Sequence, residues 1–164
     1  MGRSLPQLGR GAARRLARLR QQVHTPADAW VLLRMIGWRL ALPLLKFALP
    51  LPKLARLMWT PSRRAESQRD REEQIASLAH GLYGPSGVKA LDNCLERSLV
   101  TYRFLSEAGA SPELVVGVSK TGETVNGHVW VTLDGQPVGE SAPSLEEFAP
   151  VMTFGVAGAV RRLP

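Results

Sequence analysis

The sequence predicts an α+β domain, with a helix laid on a small antiparallel sheet, and three observations carry that expectation. In "CLERSLVTYRFLSEAG" (94–109), Leu95, Leu99, Tyr102 and Leu105 recur at helical spacing, and Gly109 stands where a left-handed C-cap ends a helix. Beyond it, "ELVVGV" (113–118) and "HVWVTL" (128–133) are short runs rich in β-branched residues. A third run, "QPVGE" (136–140), follows across Asp134-Gly135, which is a hairpin signal. A helix followed by strands in series places the helix on one face of an antiparallel sheet.

Ahead of this core, expected over 87–164, the chain has a different character. Residues 1–27 read as a basic, loosely ordered tail, and 28–86 as a helical segment. Met1 to Arg64 carries thirteen Lys/Arg against the single acid Asp28, net +12, and the remainder is net −5. An anionic partner is therefore sought at the N-terminal end. Nucleic acid is not expected, because the basic arm has no interleaved aromatic residues for base stacking. The most hydrophobic stretch, 29–59, has Arg34, Arg39 and Lys46 interrupting each apolar run well before the roughly 18 residues a span requires. Pro43, Pro50 and Pro52 are expected to split it into short helices. These helices either pack on the domain behind them or offer a basic, Trp-bearing surface to a partner or an anionic membrane. A single cysteine and three histidines exclude an internal disulfide and a Cys-His zinc cluster, and fit a reducing, cytoplasmic compartment. No metal and no cofactor are expected.

The one cysteine is placed for chemistry. Asn93 and Glu96 have capping-box spacing for a helix beginning at Cys94. A thiolate at a first helical turn is stabilised by unpaired N–H groups and the helix dipole, which lowers the thiol pKa. Residue type alone leaves both a small buried hydrophobe and a reactive thiol open. A nucleophile needs a base. His24 lies in the tail and His80 near a glycine-rich break, whereas His128 opens a strand where a structural sheet favours Val or Thr, so His128 is the candidate base.

Two carboxylates follow that could orient the imidazole. Asp134 lies roughly 20 Å farther along an extended strand, at about 3.3 Å per residue, and cannot reach. Glu140 returns on the next strand. A three-residue loop or a bulge would pair it with 128, while a strict two-residue turn at Asp134-Gly135 pairs it with 129 and points it to the opposite face. The Glu140 assignment therefore predicts the longer loop or a bulge.

Taken in order, "NCLERSLVTYRFLSEAG", "ELVVGV", "NGHVWVTLDGQPVGE" and "FAPVMTF" resemble the B2-type leader peptidases of lasso-peptide biosynthesis, within the transglutaminase-like superfamily. The resemblance covers about residues 29–154. It implies a transglutaminase/papain-like fold and a cysteine peptidase that removes the leader from a ribosomally synthesised precursor peptide, with a leader-binding partner protein and a cyclase as companions. By position it makes Cys94 the nucleophile, His128 the general base and then acid, and Glu140 the orienting carboxylate. The third position is Glu where the family more often has Asp, and Val129 stands where it often has Ala. Arg97 also matches a family position and is expected to pack or form a salt bridge beside the helix rather than bind substrate, while Trp130, two residues past His128, shares its strand face. The alternative is a non-catalytic fold of the same type that binds a peptide or a membrane surface.

Overall fold

The computed structural model describes residues 22–62, 69–83 and 94–163. These form helices α1 (Pro26–Ala48), α2 (Leu51–Met58), α3 (Arg69–Tyr83) and α4 (Cys94–Ala108), and strands β1 (Glu113–Thr121), β2 (Thr124–Leu133), β3 (Gln136–Pro137), β4 (Ala149–Phe154) and β5 (Val160–Arg162). The N-terminal tail up to residue 21, the glycine-rich break after Tyr83 and the Asn93 cap lie outside the described residues.

Helix α1 begins with a capping box: the Thr25 hydroxyl accepts from the Asp28 N–H, and the Asp28 carboxylate accepts from the Thr25 N–H. Asp28 is buried, and the hydrogen bonds to its carboxylate together with the Arg71 guanidinium, 3.1 Å away, tie this cap to α3. Pro43 does not split the helix as expected but lies inside it. An interior proline costs about 3 kcal/mol, and complete burial of Met35 and Leu42 ahead of it, with Leu45 packed against the same core beyond it, offsets that cost. The chain does break at Pro50, before α2.

Met35, Leu42, Leu54, Met58, Ile75 and Leu78 from α1–α3 share one core with Leu99, Leu105, Leu114, Val131 and Phe154. The basic residues that interrupt the apolar runs of α1 are used inside the molecule. Arg34 pairs with Glu107, Arg39 donates to the Leu82 carbonyl (2.9 Å), and Lys46 pairs with the buried Glu96 (2.8 Å) in the first turn of α4. Among the described residues, no helix is long and apolar enough to cross a membrane.

The sheet is antiparallel, in the order β3-β2-β1-β4-β5. β4 and β5 extend the three expected strands, and the third expected strand shrinks to Gln136–Pro137. Helix α4 ends as predicted: Gly109 adopts φ 105°, the Gly109 N–H donates to the Ser106 carbonyl and the Ala110 N–H to the Leu105 carbonyl, which is a Schellman motif.

Candidate functional site

Helix α4 meets the sheet at its open edge. β3 stops at Pro137, so the outer edge of β2 has no strand partner at Val129. The helix takes that place. The Ser98 hydroxyl donates to the Val129 carbonyl (2.7 Å), and the Val129 N–H is directed at the Cys94 sulfur. Ser98 lies one helical turn beyond Cys94, so the two side chains share a face and dock together on the residue that follows His128. The first residue of a helix and the middle of a strand are thereby held in register.

The three residues singled out from the sequence come together here. His128 Nε2 lies 2.7 Å from Glu140 Oε2, and the imidazole is hydrogen-bonded to the Cys94 thiol. With Nε2 engaged, Nδ1 is the nitrogen left to meet the sulfur. Cys94 is partly exposed, so the sulfur is not sealed in the core. His24 and His80 are both exposed and take no part in these bonds.

Glu140 arrives by a route other than the expected one. Leu133 pairs with Gln136 across a two-residue turn in which Asp134 (φ 50°) and Gly135 (φ 78°) are both left-handed, as a type I′ hairpin requires. The Val138 N–H donates to the Val131 carbonyl and continues that register, in which Glu140 would point away from His128. Gly139, at φ 74°, breaks it. The left-handed residue turns the chain immediately before Glu140 and returns the carboxylate to the imidazole, doing what a three-residue loop was expected to do.

Arg97 completes the arrangement. Its guanidinium pairs with Glu140 Oε1, so one carboxylate is shared between Arg97 and His128. Of the two roles expected beside the helix, packing or a salt bridge, the structure shows the salt bridge, with Glu140 as its partner. Burial pushes the Glu140 carboxyl up, but the His128 hydrogen bond and the Arg97 charge outweigh it and hold the group below its ordinary range. His128 is raised to about 9 by its hydrogen bonds to Cys94 and Glu140. Burial pushes the Cys94 thiol up as well, yet the bond to His128, the Val129 and Leu95 N–H groups and the imidazolium charge bring it below the usual thiol value. The thiol and imidazole titrate as a pair, and their favoured state is thiolate beside imidazolium.

Aromatic rings enclose the imidazole. Trp130 stacks on His128 with centroids 6.0 Å apart, and Phe148 approaches it from a tilted position at 5.1 Å. These rings form a small second core with Val115 and Leu145 on the sheet face opposite α4's core. Gly117 is the strand partner of His128, and a Cβ there would lie 2.7 Å from Trp130 Cη2 and Cζ3 and 3.2 Å from Phe148 Cβ. Gly117→Ala is therefore expected to push Trp130 off the imidazole and to cost about 1–3 kcal/mol as overpacking, read as a lower thermal midpoint. Ser98, Gly117, Gly139 and Phe148 escaped the sequence reading. Only Ser98 carried a usable signal, a polar residue on the buried face of an amphipathic helix. Among the described residues, no group of three His, Cys, Asp or Glu side chains could hold a metal ion.

A thiol at a helix start, an imidazole on the adjacent strand and a carboxylate behind it, on an α+β scaffold, define a thiol–imidazole–carboxylate site suited to acyl chemistry. A family model described as the transglutaminase-like superfamily matches residues 32–153, and the chain belongs to that superfamily, which includes cysteine peptidases. No curated protein and no solved structure matches the chain.

Proposed function

We propose that the protein is a cysteine peptidase that removes the leader from a ribosomally synthesised precursor peptide of the lasso type. The observation that carries the peptidase reading is the Cys94 thiol hydrogen-bonded to His128, with Glu140 on the far side of the ring. The leader-peptide substrate rests on the ordered sequence blocks around these residues. In the reaction, the Cys94 thiolate attacks the carbonyl carbon at the leader–core junction. The imidazolium of His128 gives its proton to the departing amine as the C–N bond breaks, leaving a thioester on Cys94. His128 then takes a proton from water, hydroxide displaces the sulfur, and the carboxylic acid is released. Glu140 accepts from Nε2 throughout, holds the ring in orientation and stabilises its charged form. No cofactor enters this scheme.

A leader-binding partner protein is expected to deliver the precursor, with a cyclase acting on the released core. Incubating the protein with a lasso precursor and its leader-binding partner, read by mass spectrometry, should show separate leader and core masses. An intact precursor under these conditions removes the leader-peptidase reading, and an amine adduct in place of the free acid assigns the acyl-enzyme to amide transfer.

Arg97 is a positioning residue in this reading. Arg97→Gln leaves Glu140 free to rotate from Nε2 and is expected to lower kcat/KM about tenfold, roughly 1.4 kcal/mol. Arg97→Lys keeps a charge but not the planar fork, and should recover part of the loss. A merely structural role would lower the thermal midpoint without moving the pH profile of cleavage.

A further inference from the structure

Helix α1 is inverted relative to an ordinary surface helix. Its three cations turn inward to partners, and the face left outside carries no charge. Trp30, Leu33, Gly37, Leu40, Leu44 and Phe47 all stand exposed, from 58 % at Leu33 to 87 % at Phe47 for the large side chains, and no described residue covers them. Their spacing alternates three and four residues over 18 positions. That is the a/d repeat of a helix whose seam meets another helix. The five large side chains expose on the order of 700 Å², more than a monomer ordinarily leaves in one patch and close to the roughly 800 Å² each partner gives a standard interface.

We infer that this seam is the interface of a homodimer, in which α1 packs antiparallel against α1 of a second copy. The argument is self-complementarity. A twofold axis through the middle of the seam sets Trp30 opposite Phe47, Leu33 opposite Leu44 and Gly37 opposite Leu40. Each pair is an a position facing a d position, as antiparallel helices require. The one position without a side chain faces one of the most exposed leucines: a Cβ added at Gly37 meets nothing within 4 Å, and Leu40 is 73 % exposed. A notch and a knob thus lie on the same helix, spaced so that each fills the other across the axis. A lipid surface has no use for a notch, and a helix lying on anionic lipid keeps its cations free for headgroups, whereas those of α1 are committed to Glu107, the Leu82 carbonyl and Glu96, Lys46 standing 6.0 Å from the Phe47 ring as it does so.

Sedimentation velocity of the full chain at about 1–100 µM tests the interface. The expected species has twice the 17.9 kDa chain mass. Leu40→Glu combined with Leu44→Glu should give a monomer whose thermal midpoint matches that of the parent diluted below its dimer dissociation constant, because both side chains are solvated in the single copy. Gly37→Leu has room in the monomer but fills the notch, and should raise the dimer dissociation constant at least about tenfold. With Cys94→Ser as background, mixing Leu33→Cys with Leu44→Cys should give a cross-linked pair across the antiparallel seam. A monomer throughout the concentration range overturns the inference, whether or not it binds phosphatidylglycerol vesicles, and so does a dimer indifferent to all these changes.

Discussion

Cys94→Ala is expected to abolish leader removal, with kcat/KM falling by at least about 10³-fold, while the fold is retained. The size of the loss follows from the sulfur's position. Its bonds to His128 and to the Val129 and Leu95 N–H groups shift the thiol toward its ionised form, and no other cysteine exists to replace it. Alanine keeps the helix start, because Cys94 is partly exposed and contributes no core volume. The thermal midpoint should therefore stay within about 3 °C of the parent, a shift worth roughly 1 kcal/mol in a chain this long. Cys94→Ser is the sharper variant. It preserves the hydrogen bond to His128 and the shape of the site, but a hydroxyl gives up its proton far less readily than a thiol, so a loss nearly as large is expected. Mass spectrometry of the precursor after incubation with each variant checks this. Cleavage by Cys94→Ala at the parent's rate would remove Cys94 as the nucleophile.

Elements carried by local periodicity were legible in the sequence, and elements that depend on a single backbone angle or a distant partner were not. The helix from Cys94 to Ala108, its end at Gly109 and the strands at 113–118 and 128–133 follow from repeating side-chain patterns, which a window of ten residues contains in full. β4 and β5 lack such a pattern: Pro150 interrupts the first, the second is three exposed residues, and both exist because β1 and β4 offer edges. Pro43 reads as a helix break, yet the burial of Met35 and Leu42 ahead of it and the packing of Leu45 beyond it keep α1 continuous. The trio of Cys94, His128 and Glu140 was identifiable by type and order, but the path of Glu140 was not. A two-residue hairpin sends its carboxylate to the wrong face, and only the left-handed φ of Gly139 brings it back. The clamp on Val129 was hidden for the same kind of reason. Ser98 becomes a positioning group only because β3 is too short to cover the edge it occupies.

His128→Ala should remove cleavage to a similar extent and, independently of any substrate, change how Cys94 reacts. In the parent the imidazolium, held up to about 9 by Cys94 and Glu140, stabilises the thiolate. Alkylation by iodoacetamide should then keep its rate as the pH falls below the ordinary thiol range, since the thiolate persists until the pH passes through the lowered thiol pKa. Without His128 the burial of the sulfur is opposed only by backbone N–H groups, so the thiol moves back up and a smaller fraction is ionised at pH 7. A more basic thiolate is also more nucleophilic, by a Brønsted slope of about 0.4–0.5, so the slowing at pH 7 should be smaller than the drop in thiolate fraction. The variant's rate should climb with pH through the thiol pKa, where the parent's is flat. Cleavage by the parent has an upper limb set by the other member of the pair: as pH rises through about 9 the imidazolium loses the proton that the departing amine needs, and kcat/KM declines. An alkylation profile with the same midpoint in parent and variant would mean that the imidazole does not govern the thiol, and the catalytic reading would fall with it.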